Sequence, residues 1–598
     1  MRSSRGAAET APTRQVVAAA LSLVILGAVG AVQAGLAGAA FMFDLEQVEP
    51  ALARVAPAIE EPHTPRLARR VFLVVIDGLR LDRSYELPFL DELRRRGVDS
   101  EATSHYPSWS RPNYVSILTG VPPEASGVRT NHHSAPVLLD SLMDRAHAAG
   151  LRVATATDYD VLPRMFLRRR HAVDEPAPLD LDDPIDVDSI EVPAAQAVRS
   201  PDADLSSPFD DARYAPWPGG FSEAGSALAA GDADLVILLV GAVDAAGHTH
   251  GGDSPAYREA AAIADHAIAR ALSRIDLTQD AVIVTADHGH TGRGGHGGVE
   301  PEVLAVPLVA AGAGIRPGAA AIDAHLIDIA PTVAALLALP APGHGLGRTL
   351  TELLAVDATG YAARRSGVAH RAPIAAPDLH ADDPARARLV AADHRRLTVT
   401  RAVVAEAKAA ADDDVLAHRA QRIAFVGCGA LLAGGLALLL IRRRVLRLDR
   451  RVLLVSIPAF FVVYYGLLAT LGQRFSPSLL PAQGHLAGQM VRYGLVSMIV
   501  QLAASLWALR NQPTLGERLA AANGIAWTGL MLTMVAAGTI WAFFPPPYVD
   551  LPGPLWLVLI PAALVAVACA AINVALTLGV EVLIFAARAW HRVAPPLD

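Results

Sequence analysis

At 598 residues the chain is longer than one hydrophobic core usually spans, so two or more structural units are expected. Hydrophobic residues make up 52% and charged residues 18%, which excludes disorder and an ordinary soluble enzyme along the whole length; part of the chain belongs in lipid. The 51 Lys and Arg against 59 Asp and Glu leave a net charge of -8, excluding the basic footprint of a nucleic-acid binder.

Residues 1–15 form a basic tip carrying Arg2, Arg5 and Arg14, and an apolar run follows from Val16 to Phe43. A spanning helix needs about 20 apolar residues, because its backbone must satisfy itself across the hydrocarbon. A signal peptide cleaved near Ala34 is one reading of this run; its length favours an uncleaved anchor over 16–43. From Val71 the pattern changes to short β-branched runs alternating with helical periods. Strands are predicted at Val71 to Ile76, Arg152 to Thr155, Leu235 to Val240, Ala281 to Thr285 and Leu304 to Ala311. Helices are predicted at Leu87 to Arg96, Tyr114 to Gly120, Tyr257 to Ile275 and Asp328 to Ala338. Such alternation predicts an α/β unit with a mostly parallel central sheet and helices on both faces. Asp174 to Asp211, rich in Asp and Pro, reads as a loop or irregular insertion.

Five more apolar runs follow: Ile423 to Ile441, Val452 to Gly472, Tyr493 to Leu509, Ala521 to Phe544 and Leu555 to Val580. Cys428 and Cys569 lie inside such runs and read as small buried hydrophobes, too few for a disulfide framework. The predicted division is a cytoplasmic tip at 1–15, an anchor at 16–43, an extracytoplasmic catalytic domain at 44–415 and an all-α, five-span membrane domain at 416–598. Cytoplasmic loops retain Lys and Arg, and Arg442, Arg443, Arg444, Arg447, Arg450 and Arg451 form the densest cluster in the chain. That loop is therefore expected inside, with Arg510, Arg518, Arg588 and Arg592. Ser476 to His485 and the 44–415 domain are expected outside, in the periplasm if the chain is bacterial.

Three predicted strands end in carboxylates. Val71 to Ile76 runs into Asp77-Gly78, Leu235 to Val240 leads to Asp244-Ala-Ala-Gly-His248, and Ala281 to Ala286 runs into Asp287-His288-Gly; His296 follows in Gly-Gly-His-Gly-Gly. One Asp-His pair is an ordinary polar feature. Six such residues at strand ends make a donor set for two divalent ions, zinc first and manganese second. In Tyr106-Pro-Ser-Trp-Ser110-Arg111-Pro112-Asn113, Pro112 places Ser110 just ahead of a helix N-terminus, where free amides and the helix dipole meet an anion. An isolated Ser-x-Pro is usually only a cap. Beside metal ligands, the same hydroxyl becomes an activated nucleophile.

These motifs, with Thr-Gly-Val-Pro-Pro-Glu-Ala-Ser-Gly-Val and the late Asp328-Ile-Ala-Pro-Thr, resemble the alkaline phosphatase superfamily over residues 68 to 355. Within it they resemble the type I phosphodiesterase/nucleotide pyrophosphatase branch. The resemblance implies one metal on Asp77, Asp287, His288 and the nucleophile Ser110, and another on Asp244, His248 and a third histidine, His296 or His344. His296 is preferred, because the Asp-His-Gly…Gly-His-Gly spacing is similar to that of membrane ethanolamine-phosphate transferases. Asn131 matches the position of an Asn that holds a phosphate oxygen; otherwise it is a turn residue in Arg-Thr-Asn-His-His. Where nucleotide pyrophosphatases carry a base-stacking aromatic, Arg111 stands, suited to a second anionic group on the substrate or to bracing a neighbouring acid. The Ser-Arg-Pro triplet and the membrane architecture look like the glycosylphosphatidylinositol ethanolamine-phosphate transferases.

The expected function is a membrane-bound two-metal phosphodiesterase or phosphotransferase working through phosphoserine on a lipid head group or lipid-linked glycan. The alternatives are a nucleotide pyrophosphatase, a phosphomonoesterase, and a catalytically silent sensor or transporter. The transporter reading lacks intramembrane charges: Glu581, near Arg588, reads as an interfacial ion pair.

Overall fold

The computed structural model describes residues 50–60, 65–133, 135–159, 161–166, 168–169, 205–355, 384–470, 476, 478, 485–514, 516–525, 527–529, 531, 579 and 583. The predicted span at 16–43, the span at 555–580 save one residue, most of 521–544, Glu581, Arg588 and most of the 174–211 stretch lie outside the described residues.

A seven-stranded sheet forms the core. Its strands are β1 (Arg70–Ile76), β2 (Val98–Thr103), β3 (Val153–Thr157), β4 (Asp211–Tyr214), β5 (Leu235–Val240), β6 (Asp280–Thr285) and β7 (Ala305–Gly312). The spatial order is β2-β7-β6-β1-β5-β3-β4. Strands β6, β1, β5, β3 and β4 are mutually parallel, and β7 runs antiparallel to both β6 and β2. The mostly parallel α/β architecture expected from the alternation is thus present. Every residue of β1, β5 and β6 is buried, as a parallel strand covered on both faces requires, which is why these segments read as unbroken apolar runs.

The helices around the sheet are α1 (Pro88–Arg96), α2 (Ser110–Thr119), α3 (Leu142–Ala148), α4 (Gly219–Ala230), α5 (Ala242–His250), α6 (Pro255–Ala271) and α7 (Ile329–Leu336). Helix α6 packs on α1, α4 and α5, whereas α7 packs on α2 and α3, forming separate layers. At the strands' amino ends Asp280 is fully buried and receives paired hydrogen bonds from Arg69 and Arg70, fastening β6 to β1. The segment expected to be a loop up to Asp211 is structured at its end, since Leu205–Ser206 pairs with Arg168–Arg169 and Asp211 opens β4 beside β3.

Helix α8 (Pro384–Arg442) is 59 residues long. Its first part is fastened to the sheet domain. Arg396 donates to the Gly347 carbonyl at 2.6 Å and to Asp393 at 2.8 Å, and Asp393 accepts the Thr349 amide at 2.6 Å. Its last part is apolar, so the boundary expected at 415/416 falls inside one continuous helix. Helices α9 (Arg450–Thr470) and α10 (His485–Leu509) pack on each other. Among the described residues Leu416–Arg442, Arg450–Leu467 and Arg492–Leu509 are long and apolar enough to cross a membrane. Cys428, expected to be buried, is exposed on the apolar part of α8, the face that lipid rather than protein would cover. Arg447 reaches Gln512 at 3.2 Å and Glu517 at 3.5 Å, so the arginine-rich loop and the 510–518 segment meet.

Candidate active site

The sheet order explains why distant residues meet. Strand β1 lies between β6 and β5, and the register pairs Val75 with Thr285 and Ile76 with Val240. The carboxyl ends are therefore level, and the turns after them lie side by side, the usual site position in an open parallel sheet. Asp77 follows β1 and Asp287 follows β6. Asp244 and His248 stand one turn apart on α5, whose first turn follows β5, so both face the same way.

Ser110 is the first residue of α2 rather than the cap ahead of it; Trp109, in an extended conformation, precedes it. Asn113 ties the approach to Ser110 in place, its amide donating to the carbonyls of His105, Pro107 and Trp109 at 3.2, 3.3 and 3.0 Å. The Ser110 Oγ lies 3.2 Å from His288 Nε2 and 3.4 Å from Asp77 Oδ1. His288 Nε2 is in turn 3.3 Å from carboxylate oxygens of both Asp77 and Asp287. On the other side His248 Nε2 is 3.3 Å from Asp244 and 3.1 Å from His296 Nε2. Donor atoms of Asp77, Asp287 and His288 lie within 4.8 Å of one another, and so do those of Asp244, His288, His290 and His296. His344 is elsewhere, with Nδ1 accepting the Asp140 amide at 2.9 Å and Nε2 3.1 Å from the Val55 carbonyl.

The protonation pattern fits bound cations. His288 Nδ1 is 3.0 Å from the Gly289 carbonyl and His296 Nδ1 is 2.7 Å from the Ser108 carbonyl, so each Nδ1 carries the hydrogen. Each Nε2 lone pair then faces carboxylate oxygens. Without a cation between them, that is repulsion. Among the described residues, one buried oxygen of Asp287 and the buried Nδ1 of His248 find no hydrogen-bond partner. Burial, with the Asp287 and Asp244 carboxyls nearby, pushes the Asp77 carboxyl well above its ordinary range, and burial raises Asp287. Burial lowers His288, and lowers His296 further with His288 beside it. Burial would also raise Asp244, but its hydrogen bonds to His248 and His290 hold it well below the usual carboxylate range. Buried carboxylates and imidazoles gathered in one pocket are donor chemistry that fits a divalent cation.

Two residues near the helix N-terminus have partners the sequence did not reveal. Asn131 Oδ1 accepts the Arg111 amide at 3.0 Å, so that amide is not free for an anion and only the Asn131 NH₂ group remains to donate. The Arg111 guanidinium donates to the His133 carbonyl and stands against Tyr159. Among the described residues no carboxylate braces it.

His290 was not anticipated. Its Nδ1 accepts the Gly295 amide at 3.2 Å, so Nε2 carries the hydrogen and donates to Asp244 Oδ1 at 2.7 Å. Both nitrogens are thereby engaged, and the ring stands against Asp244. Its ring fills the space against two motif glycines. A Cβ on Gly247 would lie 2.4 Å from the ring, and one on Gly78, at φ +74°, would lie 3.0 Å from it. The signal was the two-residue spacing from His288, which puts both side chains on one face of an extended segment. Tyr114, also unforeseen, donates its hydroxyl to Asp77.

Residues 71–296 match the family model "Type I phosphodiesterase / nucleotide pyrophosphatase", so the resemblance expected from the motifs is borne out over that stretch. The chain is 27% identical over 274 residues to GPI ethanolamine phosphate transferase 1 of Yarrowia lipolytica, covering 42% of this chain and 27% of that protein. It is 24% identical over 304 residues to the catalytic subunit of Homo sapiens GPI ethanolamine phosphate transferase 2, covering 48% and 28%. The match thus spans less than a third of either relative's length. Among solved structures, murine ectonucleotide pyrophosphatase / phosphodiesterase 5 is 14% identical with a TM-score of 0.34, covering 46% of this chain and 96% of that one.

Proposed function

We propose that the chain is a membrane-bound, two-metal phosphodiesterase or phosphotransferase that works through a phosphoserine at Ser110. The observation that carries this reading is the buried serine hydroxyl, 3.2 Å from His288 Nε2 and 3.4 Å from Asp77 at a helix N-terminus. A serine hydroxyl is a weak nucleophile at neutral pH and needs activation. Two divalent ions, when bound, would lower its pKa and neutralise charge on the leaving oxygen and phosphorus. His288 Nε2, turned toward the position of one ion, would hold that ion beside the Ser110 oxygen, and the Ser110 proton leaves to solvent. The Ser110 Oγ–phosphorus bond forms as the bond to the first alcohol breaks; water or an acceptor alcohol then takes the phosphoryl group and frees Ser110. The Asn131 NH₂ group is left to donate to a phosphate oxygen, and the Arg111 side chain, with no carboxylate partner among the described residues, suits a second anionic group on the substrate.

The substrate we infer is a lipid head group or lipid-linked glycan, because a phosphodiesterase-type domain is continuous through α8 with apolar spanning helices. The activity for which the GPI ethanolamine phosphate transferases are named favours phosphoethanolamine as the group moved. Arg111, standing in place of a stacking aromatic, argues against a free nucleotide. The contact of Arg447 with Gln512 and Glu517 supports one shared side for the two basic loops, the cytoplasmic side on their charge.

Full-length protein loaded with zinc or manganese, assayed on bis-p-nitrophenyl phosphate, its monoester, the sulfate ester and phosphatidylethanolamine, tests the reading. Ser110→Ala should abolish turnover while leaving metal content nearly intact, and mass spectrometry of the quenched wild type should find phosphate on the Ser110 peptide. Near-normal turnover in the variant would overturn the covalent step. Nucleotide diesters turned over with kcat/KM well above about 10⁴ M⁻¹s⁻¹ while lipids stayed inert would replace the lipid reading with the nucleotide one.

A further inference from the structure

The loop that carries His296 is held from two directions. On one side Ser108, two residues before the nucleophile, stitches it down. Ser108 Oγ accepts the Gly297 amide at 2.9 Å and donates to the Gly298 carbonyl at 2.8 Å, and the Ser108 carbonyl sits 2.7 Å from His296 Nδ1. On the other side the partner comes from the connection between the spanning helices α9 and α10. Ser478 Oγ accepts the Gly298 amide at 3.0 Å and donates to Glu300 Oε2 at 2.6 Å, while Ser476 Oγ receives the Ser478 amide at 3.2 Å. Ser476, Ser478 and Glu300 are all buried. The fit leaves no room at Gly298, where a Cβ would lie 2.2 Å from Glu300 Oε2, 2.3 Å from Ser476 Oγ and 2.6 Å from Ser478 Oγ.

We propose that Ser478, which lies between α9 and α10 in the chain, is a positioning residue that fixes the 296–300 loop and through it His296. The inference rests on the two-metal reading above. A buried amide left without an acceptor is strongly disfavoured, so losing Ser478 releases Gly298 to seek another partner and frees the loop two residues from a metal-facing imidazole. Hydrogen-bonding groups that orient ligands change metal affinity by about 10- to 100-fold; Ser478, acting through backbone, belongs at the lower end. The membrane domain would then support the centre itself and present the bilayer surface to it, which suits a substrate that arrives from the bilayer.

The test uses the full-length chain in detergent or nanodiscs, titrated with zinc against a chromophoric chelator. Ser478→Ala should weaken one of the two ions about tenfold, the one held by Asp244, His248 and His296, and leave the ion at Asp77, Asp287 and His288 unchanged. Gly298→Ala, which would expel the connection from the opposite side, should give the same split. Ser478→Cys paired with Glu300→Cys should cross-link with a short bis-methanethiosulfonate reagent in intact membranes, which reads docking without reference to activity. Wild-type affinity at both ions in both alanine variants, or no cross-link in a normally expressed double-cysteine protein, overturns the proposal. Either result leaves the phosphoserine reading standing, because that is tested separately by Ser110→Ala and by phosphate on the Ser110 peptide.

Discussion

Replacing His290 separates a ligand from a positioning group more sharply than any other single change in the site. The Nε2–H of His290 meets an ionised carboxylate at 2.7 Å in a fully buried position, and Nδ1 accepts a backbone amide at 3.2 Å. A hydrogen bond to a charged group contributes about 1.5–3 kcal/mol. At 1.4 kcal/mol per tenfold, its loss should weaken the ion held by Asp244 by roughly 10- to 150-fold. Asparagine places its amide where Nδ1 was, serving Gly295 but falling short of Asp244. Glutamine reaches Nε2's position and can still donate to Asp244. His290→Asn should therefore show the full loss in chelator competition, and His290→Gln should return to within a few-fold of wild type. If His290 instead ligated the metal, both variants would lose affinity alike, and the visible spectrum of the cobalt-substituted protein would change in both. That pattern, or an asparagine variant with wild-type affinity, refutes the positioning role.

Loading zinc into metal-free protein should release more protons as the pH is lowered, because burial raises the Asp77 and Asp287 carboxyls and zinc binds them ionised. Calorimetry in buffers of different ionisation enthalpy measures this, and a release that does not rise as the pH falls would contradict it. Asp280→Asn keeps the side chain's volume but leaves Arg70 buried and unpaired, so about 3–5 kcal/mol of stability should go in denaturant unfolding. Burial opposes ionisation of Asp280, but the Arg70 and Arg69 hydrogen bonds win and depress its pKa. Its contribution is therefore present above the unfolded value of about 3.9 and lost as pH falls through the lower folded value; Asp280→Asn should lack that acid slope. Reporter fusions after residues 390 and 447 should give opposite signals across the membrane, and matching signals would remove the span Leu416–Arg442.

The strands that hold the site were legible because burial on both faces forces an unbroken apolar run, and each run ended at a polar residue the chain had no structural reason to place there. Thus β1, β5 and β6 fall within a residue of expectation. The edge was not legible. Strand β2, Val-Asp-Ser-Glu-Ala-Thr, alternates buried and more exposed positions and carries too little apolar content to stand out. The direction of β7 was equally hidden, since periodicity marks a strand but not which way it runs. Helix α4 opens on two glycines and is rich in alanine, a composition that gives no clear helical stripe. In the site, residues announced by strand ends were visible. Those defined by a partner were not: His290 acquires its meaning from an aspartate 46 positions away, and Ser478 from a glycine 180 positions away.

Those long-range partners also bear on why the membrane region is more than an anchor. One tether would hold a domain near a bilayer while leaving it free to tumble. Here two routes converge on the sheet domain from the spanning helices. Helix α8 enters through Arg396 and Asp393, against the Gly347 and Thr349 backbone, and the α9–α10 connection enters at Gly298 through Ser478. Two attachments at separated points fix orientation as well as distance. The second lies two residues from His296, and on the inference above the end of the sheet that carries Ser110 would be the end turned toward the membrane. A soluble diester gains nothing from that orientation. A phosphorylated group fixed to a lipid gains the entropy of alignment that a freely diffusing substrate must lose on binding, which is the physical reason for expecting lipid-borne substrates to be turned over faster than their detached head groups.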